Sequence, residues 1–65
     1  MGKLFRATLG YGSIVYDGSL TLDNLLDEVE VEYDKHIRAE VASWARVATR
    51  NKLYDAYGIR ITCIS

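Results

Sequence analysis

The chain has 65 residues, with eight Lys+Arg against nine Asp+Glu and a formal charge of −1. That length admits one small domain, and 26% charged with 49% hydrophobic residues is the balance of an ordinary globule rather than a disordered tail. The single cysteine, Cys63, excludes an intramolecular disulfide and a multi-cysteine zinc site. No apolar run nears the ~20 residues of a membrane span, and near-neutral charge gives no global pull toward nucleic acid.

Residues 3–9 alternate, with Phe5, Ala7 and Leu9 on one face and Leu4, Arg6 and Thr8 on the other. Gly10-Tyr11-Gly12 then offers positive-φ positions for a reversal. Ser13-Ile14-Val15-Tyr16 is rich in β-branched and aromatic residues and meets a turn signal at Asp17-Gly18, so 3–17 reads as a β-hairpin. Thr21 suits a helix N-cap, because its hydroxyl can accept from a free amide of the first turn. Leu20 and Leu25 fit a hydrophobic staple around it, and Asp23 complements the helix dipole.

A helix is therefore expected from Leu22. No proline or glycine interrupts 22–57, and Gly58 suits a left-handed C-terminal cap. A continuous helix over that range would be about 54 Å long, against about 20 Å for strands of six or seven residues. Either it breaks, near Tyr33-Asp34-Lys35 or Thr49-Arg50-Asn51, or half of it overhangs the sheet. Residues 59–64 alternate again and give a third strand. The expected fold is α+β in β-β-α-β order: a three-stranded, mainly antiparallel sheet on one long or once-broken amphipathic helix. With the last strand beside the first, the N-terminal strand would be central.

Laid out at 100° per residue, the helix carries one broad apolar stripe of Leu22, Leu25, Leu26, Val29, Tyr33, Ile37, Trp44, Val47, Ala48 and Tyr54. A second stripe is acidic, with Asp23, Asp27, Glu30 and Asp34, and Glu28 and Glu32 broaden it. A third, smooth and basic-aromatic, holds Ala39, Ala42, Arg46, Arg50, Leu53 and Tyr57. Charge is segregated accordingly: 17–34 holds seven acids and no base, while 35–65 holds six bases and two acids. Acids at a helix start and bases at its end complement the macrodipole. Antiparallel pairing of two copies would use the same pattern, and a homodimer contacting through Ala39, Ala42, Leu53 and Tyr57 is expected.

Catalytic and metal signatures are missing. His36 and Glu40 stand one turn apart but offer only two ligands, and Cys63 on the terminal alternation reads as a buried thiol. Gly10-Tyr11-Gly12 lacks the further glycine and lysine of a phosphate loop. No enzyme activity, cofactor, metal or membrane attachment is expected, and the cytoplasm is the expected compartment.

The hairpin followed by Leu20-Thr21-Leu22-Asp23-Asn24-Leu25-Leu26 resembles the opening of a β-grasp, as in ubiquitin-like sulfur carriers, over residues 1–26 only. The chain reads Cys63-Ile64-Ser65 where those proteins carry paired glycines, so their activity is not implied.

On a helix, acids every turn recur at about 5–6 Å, close to the phosphate spacing of a nucleic-acid strand. Asp23, Asp27, Glu28, Glu30 and Asp34 are thus the candidate partner-binding face, fitted to a basic groove of host nucleic-acid machinery. In size and charge polarity the chain is similar to inhibitors encoded by viruses or mobile elements, anti-CRISPR proteins included; the host cytoplasm would then be its site. The alternative is a small dimeric nucleic-acid-binding or regulatory protein using Arg46, Arg50 and Tyr57 of the basic half.

Overall fold

The structure, a computed structural model, describes residues 2–10 and 14–65, with the backbone alone for 14–19. The elements run β1 (Leu4–Leu9), β2 (Ile14–Thr21), α1 (Leu22–Glu32), α2 (Lys35–Val47), β3 (Leu53–Ala56) and β4 (Ile59–Cys63). The strands form one sheet of order β2-β1-β4-β3, antiparallel at every step. The α+β class is as expected, and the last strand lies beside the first, so of the orders the sequence left open the one with an inner N-terminal strand is found. The sheet has four strands rather than three, and the helix expected over 22–57 is two helices that end ten residues early.

β1 and β2 pair as a hairpin whose expected reversal at Tyr11-Gly12 lies outside the described residues; Gly10 itself takes φ 67°. β2 does not stop at Asp17-Gly18. It runs on to Thr21, with a register irregularity opposite Arg6 that takes up the extra residues between Tyr16 and Leu20. The strand then passes straight into α1. Thr21 caps it as expected, its hydroxyl accepting from the Asn24 N–H at 3.4 Å.

The first break falls at Tyr33-Asp34. Asp34 turns to extended backbone and its carboxylate accepts from the Ile37 N–H at 2.8 Å, which starts α2 by satisfying a first-turn amide. Tyr33 is fixed from two sides. Its N–H donates to the Val29 carbonyl at 2.9 Å, and its hydroxyl accepts from the Gly10 N–H at 3.0 Å. The phase of the apolar stripe resets there. Val41 and Ala45 are fully buried, whereas Val47, placed on the stripe by a continuous helix, is 78% exposed.

The second break follows Val47. The Lys52 N–H closes a turn on the Thr49 carbonyl, the Asn51 N–H donates to the Cys63 carbonyl at 2.7 Å, and the Cys63 N–H donates to Lys52 at 2.9 Å. Two residues thus oppose one, with Asn51 at φ 75°: a bulge of the kind usually built on a left-handed glycine. Asn tolerates that conformation better than other non-glycine residues. Beyond it, β3 turns into β4 through Tyr57-Gly58, at φ 56° and 75°. A two-residue turn with both residues at positive φ matches the twist of a hairpin. Gly58 therefore serves a strand reversal, not a helix cap, and Leu53 to Tyr57 belong to a hairpin.

The helices cover one face of the sheet. Phe5, Ala7 and Leu9 of β1 and Ile59, Ile61 and Cys63 of β4 meet Leu25, Leu26, Val29, Val41, Ala45 and Ala48 in one core. A pair of helices suits the task, because the chain leaves the sheet at one edge and must re-enter at the other. At about 16 and 20 Å they fit within a body of 26 × 22 × 18 Å, so nothing overhangs. The accessible surface of 4211 Å² is close to the roughly 4,200 Å² of a compact monomer of this mass. The core closes within one copy.

Two substitutions test the breaks. Asp34→Ala should cost about 1 kcal/mol of unfolding free energy by removing the α2 cap. Asn51→Val should cost about 1–2 kcal/mol through its positive φ, with Asn51→Gly close to neutral. Urea denaturation of the three variants beside the parent measures both.

Candidate interaction surfaces

Because Asp34 left the helix to cap α2, the expected row of four acids is reduced to Asp23, Asp27 and Glu30 on α1. Asp23 and Asp27 are exposed, Glu28 and Glu30 are half-buried, and Glu32 is exposed at the helix end. One cation reaches this face from α2: the Arg38 guanidinium meets Glu30 at 2.8 Å and Asp27 at 3.1 Å. Its hydrogen bond to Glu30, reinforced by both carboxylates, holds its pKa above the ordinary arginine value. The face is anionic but not bare, and Arg38 also clips the two helices together across the Tyr33-Asp34 break.

The expected basic-aromatic stripe is dispersed. Ala39, Ala42 and Arg46 lie on α2, Arg50 in the loop that follows, Leu53 on the edge strand β3 and Tyr57 in the β3–β4 turn. Ala42 is half-buried and packs on the core, while Leu53 and Tyr57 are 51% and 47% exposed. The structure does not bring these six together as one helical face. It does leave Arg46, Arg50 and Lys52 exposed around the loop after α2.

Glu40 gathers the α2–hairpin junction. Its two carboxylate oxygens accept from the Tyr54 hydroxyl at 2.6 Å and the Tyr57 hydroxyl at 3.2 Å. Burial, and then the bond to Glu40, raise the Tyr54 phenol pKa well above its usual value. The Tyr57 phenol is raised chiefly by the Glu40 charge beside it. Tyr54 also packs at a tilt on Trp44, with ring centroids 5.5 Å apart, and Trp44 does the same on Phe5 at 5.9 Å. Glu40 is thus engaged with phenols and not with His36.

Lys3 has an equally specific place. Its ammonium donates to the Ala45 and Arg46 carbonyls at 3.0 and 2.8 Å, satisfying the last turn of α2 from 42 residues away. The adjoining depression, about 480 Å³ and lined by Gly2, Lys3, Leu4, Thr21, Leu22 and Asp23, is open and shallow. Cys63 is fully buried and its thiol faces the Ser65 carbonyl. Among the described residues no three His, Cys, Asp or Glu side chains gather to hold a metal, and no helix is long and apolar enough to cross a membrane.

The other face of the sheet carries no helix. By strand alternation it presents Leu4, Arg6 and Thr8 of β1, Arg60 and Thr62 of β4, and Leu53 and Asp55 of β3. Arg6 is the cross-strand partner of Thr62, and Arg60 of both Thr8 and Asp55. The single ion pair on this face among the described residues is Arg60–Asp55, at 3.6 Å. Alternation in the sequence already put Arg6 and Thr8 on one face; the neighbouring β4 row required the β1–β4 register. No protein family, curated protein or solved structure matches the chain.

The phenol–carboxylate junction predicts an alkaline response. A folded-state pKa raised above 10.0 favours the neutral phenol, so the stabilisation is complete below the unfolded value and is lost as pH rises past it. Urea midpoints should fall above about pH 10, and less so in Tyr54→Phe than in the parent.

Proposed function

We propose that the chain is a non-catalytic protein-binding module that acts by covering a basic surface of a larger partner with its acidic α1 face. The observation that carries this reading is the make-up of α1: Asp23, Asp27, Glu28, Glu30 and Glu32 in eleven residues, with no basic residue in its last turn. That absence forgoes the usual C-terminal complement to the helix dipole and leaves an anionic ridge on which the Arg38 guanidinium pairs with Asp27 and Glu30. Asp23, Asp27 and Glu30 still follow one another by about one turn, roughly 5–6 Å, a spacing suited to a groove that holds nucleic-acid phosphates. A partner's arginine or lysine would share the Asp27 and Glu30 carboxylates with Arg38. A small inhibitor of host nucleic-acid machinery, encoded by a virus or mobile element and working in the host cytoplasm, has this character.

A second reading rests on Arg46, Arg50 and Lys52, exposed together around the loop after α2. It makes the chain a small dimeric nucleic-acid-binding or regulatory protein, with Leu53 and Tyr57 as the apolar contact between copies. A native mass that shows a dimer, dissolved by Leu53→Glu, favours it.

The principal test is affinity purification from the source cells followed by competition. The acidic-face reading expects capture of a nucleic-acid-binding protein that added DNA or RNA displaces. It expects the triple variant Asp23→Asn, Asp27→Asn, Glu30→Gln to weaken capture by about tenfold or more, the equivalent of about 1.4 kcal/mol. Capture that is indifferent to the variant and to nucleic acid overturns it.

A further inference from the structure

The open face of the sheet, on the layer opposite α1, carries a cluster that neither the fold nor the acidic face uses. Arg6 and Thr8 on β1 lie beside Thr62 and Arg60 on β4, so the two arginines are diagonal neighbours on the two inner strands. Directly opposed side chains on such a ladder stand about 5 Å apart and diagonal ones about 7 Å, within reach of each other for arginine. Two like charges in that relation repel. A role confined to folding would favour an opposite charge or a β-branched residue at one position. The cluster has little internal compensation: Arg6 has no carboxylate in ion-pair range among the described residues, and Arg60 shares Asp55 only at 3.6 Å between two well-exposed side chains. The β2 register irregularity sits beside Arg6, and such irregularities re-aim neighbouring side chains. Thr8 and Thr62, both half-buried, add a hydroxyl donor next to each guanidinium.

We propose that Arg6, Thr8, Arg60 and Thr62 form a phosphate-binding platform on the open sheet face, occupied by the backbone of a single-stranded nucleic acid. Two forked guanidiniums with flanking hydroxyls match the donor pattern that phosphate oxygens accept. Their separation lets them take neighbouring phosphates of an extended strand. The platform's shape selects the single strand: a duplex groove admits a helix or a two-stranded ribbon, and this face is four strands wide. Leu4 and Leu53 border the cluster and give unstacked bases an apolar surface. The proposal uses neither α1 nor the loop carrying Arg46 and Arg50, so it stands or falls apart from both readings above.

Fluorescence anisotropy with labelled oligothymidylate and oligouridylate, titrated with the full chain from low to physiological salt, tests it. Binding at low salt should weaken with added salt. Arg6→Gln with Arg60→Gln should reduce affinity about tenfold or more and lower the logarithmic salt slope by about 2, one for each lost phosphate contact. Arg6→Lys with Arg60→Lys, which keeps the charge and guards against a folding defect in the first pair, should retain most of the binding. The proposal is overturned by any of four results: no binding at low salt; binding unchanged in the glutamine pair; binding lost in Arg46→Gln with Arg50→Gln; or equally strong competition from duplex or inorganic phosphate.

Discussion

β1 and β4 lie side by side in the middle of the sheet, and their inward side chains, from Phe5 and Leu9 to Ile59 and Ile61, have no exposed surface. Burying four such side chains is worth roughly 6–12 kcal/mol, comparable to the whole net stability of roughly 3–10 kcal/mol for a chain of this size. The helices, the hairpin and both outer strands are arranged around that pairing. α1 and α2 exist as two elements because the chain must cross this inner pair from the β2 edge to the β3 edge. Lys3, Tyr33 and Glu40 then anchor the crossing at its end, its break and its far side.

A two-layer body has two broad faces, and here they differ in charge. Most acids sit on the helical layer, where Arg38 offsets two of them, while the sheet face without a helix presents, among the described residues, Arg6 and Arg60 with the Asp55 carboxylate beside Arg60. The edges are poor meeting places by comparison. β3 has four residues and begins at a bulge, and β2 carries its own irregularity, both of which blunt strand-to-strand association.

Short-range chemistry was readable from the chain and long-range chemistry was not. Thr21 as a cap, alternation at 3–9 and 59–64, and Tyr33-Asp34-Lys35 or Thr49-Arg50-Asn51 as weak points all follow from neighbours within one turn. The chain breaks at both places, because no single helix could stay on so small a sheet. β3 was not legible because Leu53-Tyr54-Asp55-Ala56 has no β-branched residue and its apolar spacing also fits a helix. The turn signals beside it were disguised too: Asn51 stands where glycine is usual, and Tyr57-Gly58 where Asn-Gly is. The acidic row lost Asp34 to a capping role that residue type alone allows equally well. Arg38, Glu40 and Lys3 find their partners only through tertiary structure, the last across 42 positions.

The central place of β4 also bears on how the protein is made. β1 and β2 are synthesised first, yet the apolar row of β1 waits for residues 59–63, more than fifty positions later, to complete its hydrogen bonding on the other side. Pairings so distant in sequence slow the folding search, and a nascent chain on the ribosome holds an unfinished sheet edge until residues 59–63 have emerged. Truncation just before Ile59 would therefore remove an inner strand rather than a fringe, leaving β3 with no neighbour.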